Sequence, residues 1–186
     1  MQFLHTLYLI HRDIKFENLF VDANEDLFLG DLGIAQNTTL KLAQTVIGTP
    51  ETMAPEVFLN KPYNERADVW SLGCVWYELL SGRKPFQAPT QYMLQDSIKK
   101  GQFGKLNGGW FESTCMSMMQ PNPMKRPTSA FLLAQAAMFI PQAQCNTMTL
   151  RVPTYGNAAQ FVADGEIVQC DKCGGYLTFA EDLPFH

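Results

Sequence analysis

Between residues 67 and 80 the chain is apolar almost all round, through Val69, Trp70, Leu72, Cys74, Val75, Trp76, Tyr77, Leu79 and Leu80. A run with no polar face predicts a helix enclosed on every side. Ser81-Gly82 then offers a left-handed stop. Nearer the start the pattern shortens to two apolar arms, Leu19-Phe20-Val21 and Leu27-Phe28-Leu29, about the polar run Asp22-Ala23-Asn24-Glu25-Asp26. That pattern predicts a hairpin. The stretch from 36 to 45 is polar and rich in threonine, with little to bury, and is expected to be mobile. Residues 102–110 read as a glycine-punctuated loop anchored by aromatics, between helices. In Cys115-Met116-Ser117-Met118-Met119 the soft side chains suit core packing better than metal binding. The sum is a mainly α chain (α+β) with a short β-hairpin.

Past Phe139 the character changes. Pro141, Pro153 and Gly156 punctuate polar sequence, and only Gln160-Phe161-Val162 and Glu166-Ile167-Val168 suggest extended chain. The pattern divides the chain into a folded unit, 1–139, and a small irregular or β tail, 140–186. The tail carries Cys170-Asp171-Lys172-Cys173-Gly174-Gly175, which has the knuckle form of a zinc ribbon. Cys170 and Cys173 supply half of a four-coordinate Zn2+ site, with Cys145 and His186 as local candidates for the rest; reduced surface thiols are the plainer alternative.

At 186 residues the chain holds one core and a small appendage, and 46% hydrophobic content suffices for folding. A net charge of -4 with no basic run argues against general nucleic-acid binding. Nothing in the sequence is long and apolar enough to span a bilayer, and the first residues lack the charged region of a signal peptide. Five cysteines without framework spacing suit a reducing cytoplasmic or nuclear compartment.

The chemistry lies at the ends of the hairpin. His11-Arg12-Asp13-Ile14-Lys15-Phe16-Glu17-Asn18 enters the first arm, and Asp31-Leu32-Gly33 leaves the second. A hairpin returns its ends to one place, so Asn18 and Asp31 can offer oxygens to one hard cation, whose ligands sit at about 2.0 to 2.1 Å. With Asp13 and Lys15 beside them, a base, a cation and two metal-binding side chains surround one point, which suits phosphoryl transfer.

These two segments resemble the catalytic loop H-R-D-L-x-x-x-N and the metal-binding D-F-G of the eukaryotic protein kinases. Gly48-Thr49-Pro50-Glu51-Thr52-Met53-Ala54-Pro55-Glu56 resembles the end of their activation segment. The resemblance implies a kinase-like C-terminal lobe that transfers the ATP γ-phosphoryl group to protein hydroxyls. Asp13 would accept the substrate proton, Lys15 would steady the transferring group, and Asn18 and Asp31 would hold Mg2+ on the ATP phosphates. Phe20 would lie beneath the adenine. Lys15, two residues after Asp13, implies serine/threonine rather than tyrosine specificity. Phe16 stands where the family usually has proline, and Leu32 replaces the phenylalanine of D-F-G; neither change removes a ligand or a base.

By the same resemblance Thr45 occupies the activating phosphosite, where Arg12 would bind the phosphate and order the loop. The plainer reading makes Thr45 one hydroxyl among several. Thr49 would dock substrate and bond toward Asp13 and Lys15. Asp68 would bond the catalytic-loop backbone, and Glu56 with Arg126 would form a buried ion pair. Asn60-Lys61-Pro62-Tyr63-Asn64 and the run from Asp68 to Leu79 look most like the NIMA-related kinases. The implied partners are proteins presenting Ser or Thr hydroxyls, together with a regulatory protein.

The resemblance begins inside the helix before the catalytic loop, of which residues 1–10 read as the second half. No N-lobe features accompany it: no Gly-rich loop, no Val-Ala-Ile-Lys lysine and no hinge. Positioning and electrostatics are nearly all the catalysis a kinase supplies, so this chain alone is expected to be a poor enzyme. The competing class is a noncatalytic, pseudokinase-like interaction module or truncated product.

Overall fold

A single helix, α3 (Arg66–Ser81), organises the molecule. The computed structural model describes residues 1–23, 27–38, 42–106 and 110–139. In chain order these form α1 (Gln2–Thr6), β1 (Leu9–Ile10), β2 (Leu19–Val21), β3 (Leu27–Leu29), β4 (Gln36–Asn37), α2 (Pro55–Phe58), α3, α4 (Gln91–Lys100), α5 (Trp110–Met118) and α6 (Ser129–Phe139). Short 3-10 turns lie at Phe16–Asn18, Pro50–Thr52 and Pro123–Lys125.

Asn64 starts α3 by accepting from the Arg66 amide on its side chain at 3.1 Å, and Gly82 ends it at φ 70°. Only a residue without a Cβ takes that left-handed turn cheaply. Val69, Trp70, Cys74, Val75 and Tyr77 are buried. Trp70 stacks on Phe86 with centroids 5.5 Å apart, and Phe103 meets the edges of both Phe86 and Tyr77. The expected enclosure stops short of the C-terminal turn, where Leu79 and Leu80 face solvent. At Gly73 an added Cβ would sit 2.8 Å from Met119 and 2.9 Å from Met118, so the glycine lets α5 lie close against α3. Met118, Met119 and Cys115 are buried there, whereas Met116 is partly exposed. Burial pushes the Cys115 thiol up to about 12, which suits a packing group rather than a reactive one.

Glu56 in α2 and Arg126, both buried, form a two-pronged ion pair with N–O distances of 2.6 and 2.7 Å. The remaining guanidinium protons go to the carbonyls of Gln120, Arg66 and Pro121. All five donors are thus satisfied. The guanidinium carbon also lies 5.0 Å from the centre of the Trp70 ring, so the pair is locked to α3 as well.

The two predicted arms do pair as a hairpin, in a register that sets Leu19 opposite Leu29, Phe20 opposite Phe28 and Val21 opposite Leu27. Two expectations change. The first helix does not run to residue 10: it ends at Thr6, Tyr8 turns at φ 57°, and Leu9 and Ile10 form a strand. That strand pairs with Gln36 and Asn37, at the head of the polar stretch expected to be mobile. Backbone pairing, indifferent to side-chain polarity, gives this stretch an anchor. Trp110, read as the end of a loop, is the first residue of α5. The turn residues 24–26, the loop residues 107–109 and the whole tail lie outside the described residues, and with them Cys145, Cys170, Cys173 and His186.

Candidate active site

The segment from His11 to Asn18 is fastened to α3 from below. The buried carboxylate of Asp68, in the first turn of α3, accepts the backbone N–H of His11 at 2.8 Å and of Arg12 at 2.9 Å. Its Oδ2 also lies 2.9 Å from His5 Nε2, and His5 Nδ1 lies 2.9 Å from Ser129 Oγ. One carboxylate therefore ties α1, the catalytic-loop backbone and α3 together. The side chain of His11 lies between two further elements. Its Nε2 donates to the Gly30 carbonyl at 2.9 Å, and its Nδ1 accepts the Asp13 amide at 3.3 Å.

Above this base the reactive groups close on one another. Lys15 Nζ lies 2.7 Å from Asp13 Oδ2, the Thr49 hydroxyl donates to Asp13 Oδ1 at 2.7 Å, and Lys15 donates to that hydroxyl at 3.1 Å. The Asn18 amide nitrogen donates to the Asp13 carbonyl at 2.7 Å and to its carboxylate at 3.1 Å. Burial opposes ionisation of Asp13, but the bonds from Lys15 and Thr49, the Lys15 charge and the Asn18 amide outweigh it and hold the carboxyl below its ordinary range. Lys15 is correspondingly held above its usual value, first by its bond to Asp13.

Because the Asn18 nitrogen is spent on Asp13, its oxygen is turned away from that carboxylate. The hairpin closes where the Gly30 amide donates to the Asn18 carbonyl at 2.9 Å, one residue before Asp31. Asp31 sits at φ 59° with its Oδ1 accepting the Gly33 amide at 3.1 Å, and its charge contributes to raising Lys15. Phe20 is 54% exposed, and its ring occupies the space where a Cβ on Gly30 would stand, 2.7 Å away. Asn18 and Asp31 carry amide and carboxylate oxygens, the kind of donor that Mg2+ prefers. Among the described residues no group of three or more His, Cys, Asp or Glu gathers around a point.

Arg12 turns at φ 71°, which sends its side chain toward the activation segment. Its Nη1 donates to Gln36 Oε1 at 2.7 Å and to Thr45 Oγ1 at 2.8 Å, and its Nε donates to the Ile34 carbonyl. Residues 43–45, expected to be mobile until modified, are thus held in the unmodified chain. Sequence reasoning gave no role to His5, Gln36 or Tyr63, whose side-chain partners lie 63 and 124, 24 and 18 residues away respectively, and nothing in their spacing marked them.

The protein kinase domain model matches residues 1–138. The chain is 38% identical over 134 residues to serine/threonine-protein kinase Nek5 of Homo sapiens, covering 69% of this chain and 19% of that protein. It is 38% identical over 133 residues to serine/threonine-protein kinase Nek1 of Mus musculus, covering 69% and 11%. Against G2-specific protein kinase nim-1 of Neurospora crassa it is 37% identical over 129 residues, covering 67% and 15%. It therefore spans less than a fifth of the length of each of these curated relatives. With a catalytic loop built as described above and a family match across most of its length, this chain belongs to the protein kinase domain family, in its NIMA-related serine/threonine group.

Proposed function

We propose that residues 1–139 act as the C-terminal lobe of a kinase domain and, with an N-terminal lobe to clamp the nucleotide, transfer the ATP γ-phosphoryl group to protein Ser or Thr hydroxyls. The observation that carries this reading is the contact among Asp13, Lys15 and Thr49, at 2.7 to 3.1 Å. In the reaction the substrate oxygen bonds to the γ-phosphorus, the bond to the β–γ bridging oxygen breaks, and the hydroxyl proton passes to Asp13. A carboxylate held below its ordinary range in this way is a weak base in the ground state. Asp13 chiefly orients the hydroxyl and takes its proton late, which a loose transition state permits. Lys15 faces the negative charge of the transferring group, and Thr49 holds both side chains in register. Mg2+, when bound, neutralises phosphate charge, and Asn18 and Asp31 are the residues that would hold it. Thr45, bonded to Arg12, is the hydroxyl best placed for a regulatory phosphate.

The test is phosphorylation of a protein substrate by the protein purified from its native cell, compared with Asp13→Asn. A kinase loses transfer by about 100-fold or more, the scale of a positioned acid–base group. A noncatalytic interaction module shows no transfer in either form and keeps its partners in the variant.

A further inference from the structure

Thr45 is gripped from two sides. Arg12 donates to its hydroxyl, and the hydroxyl of Tyr63 donates to its backbone carbonyl at 3.0 Å. Two residues earlier, Ala43 and Tyr63 exchange both backbone hydrogen bonds, at 3.0 and 2.9 Å, in an isolated antiparallel bridge. Both residues of the bridge are buried, while Gln44, Thr45 and Val46 are exposed. One residue therefore makes three of the bonds that anchor residues 43–45, and it stands just ahead of α3 in the core. Tyr63, Arg12 and Asp68 also line one small cavity.

Among the described residues the hydrogen-bond partners of the Arg12 guanidinium are neutral: the Ile34 carbonyl, the Gln36 amide oxygen and the Thr45 hydroxyl. None requires a phosphate. Three residues beyond Thr45, Gly48 lies against the Arg12 carbonyl, and Thr49 then reaches Asp13. Holding Thr45 thus fixes one end of the short span whose other end sits on the proposed base.

We propose that Tyr63 is a positioning residue that docks the activation segment onto Arg12 before Thr45 is modified, so that phosphate on Thr45 reinforces an arrangement already made. This rests on the kinase reading for its consequence, since docking matters to catalysis only if Asp13 is the base.

The test uses the full chain after phosphatase treatment. Tyr63→Phe keeps the ring and the backbone bridge and removes one hydroxyl. Amide hydrogen exchange at Ala43 and residue 63 is expected to quicken about five-fold, the factor that one ordinary intramolecular hydrogen bond is worth. Amides of α3 quicken by no more than the same factor, the melting temperature falls by only a few degrees, and phosphate on Thr45 restores slow exchange at Ala43. In the active kinase the unmodified variant loses kcat at unchanged KM for ATP, and phosphorylation recovers it. Wild-type exchange rates in Tyr63→Phe overturn the proposal, as does an Ala43 amide in the parent protein that gains protection only after Thr45 is phosphorylated. That second comparison decides the matter even if the variant folds poorly. The exchange measurement needs no catalysis, so a two-lobed form that fails to transfer phosphate overturns the kinase reading while leaving the docking result standing.

Discussion

The hydroxyl of Thr49 donates to the carboxylate of Asp13 at 2.7 Å while accepting from Lys15 at 3.1 Å. It is one of the groups that keep Asp13 ionised. Thr49→Ala should lower kcat by about ten-fold or more, within the reach of a lost acid–base positioning contact. With a stabilising bond removed, the Asp13 pKa rises toward the ordinary value of about 3.9, so the acid limb of the pH–rate profile moves to higher pH. Thr49→Ser keeps the hydroxyl and should recover both properties. An acid limb that stays put in Thr49→Ala would show that Thr49 acts on the fold alone.

Arg126 has a different kind of importance. Its five donors are all taken by buried or backbone acceptors, and removing it strands the Glu56 carboxylate. Breaking such a pair costs about 3 to 5 kcal/mol. Arg126→Ala should therefore shift the urea midpoint strongly downward. Arg126→Lys should recover little, because an ammonium cannot fill a five-bond fork. A midpoint unchanged in Arg126→Ala would mean that the pair holds nothing together.

Local pattern exposed the parts of this structure that local pattern controls. The two hairpin arms from Leu19 to Leu29, and the extent of α3 with its Gly82 stop, follow from apolar runs and turn chemistry within a few residues. The strand Leu9–Ile10 was hidden because two residues carry no period and their partners, Gln36 and Asn37, are polar. Asp13, Lys15, Asn18 and Asp31 were legible through their motif spacing, but the ties of His5 to Asp68 and of Tyr63 to Thr45 were not. Those ties cross 63 and 18 residues of sequence, and only the packed chain brings their ends together.

Gly48 offers a test of how closely the activation segment must approach the catalytic loop. It adopts φ 116°, and a Cβ there would lie 2.5 Å from the Arg12 carbonyl oxygen. Both the backbone angle and the contact exclude a side chain. Gly48→Ala should push the segment off Arg12, disturb the contact between Thr49 and Asp13, and destabilise the fold by about 1 to 2 kcal/mol from the backbone angle alone. Catalytic turnover should fall while nucleotide affinity, set elsewhere, is retained. Unchanged turnover would show that the loop tolerates a wider separation.

His11 makes stability depend on pH with a definite sign. It is fully buried, and burial lowers its pKa against the favourable charge of Asp68, the bond to the Gly30 carbonyl and the charge of Asp13. Its neutral form also fits the hydrogen bonds: Nε2 donates to Gly30, and Nδ1 needs its lone pair for the Asp13 amide. In the unfolded chain histidine takes up a proton near pH 6.5. Folded His11 resists until the pH is lower, so its contribution is fully present above about 6.5 and is lost as the pH falls toward the depressed folded value. Within that window unfolding free energy should drop by up to about 1.4 kcal/mol per pH unit for this one proton. Urea titrations between pH 7 and pH 5 should show a shallower slope for His11→Gln than for the parent chain, because glutamine takes up no proton. Equal slopes in the two proteins would mean that another group governs acid sensitivity.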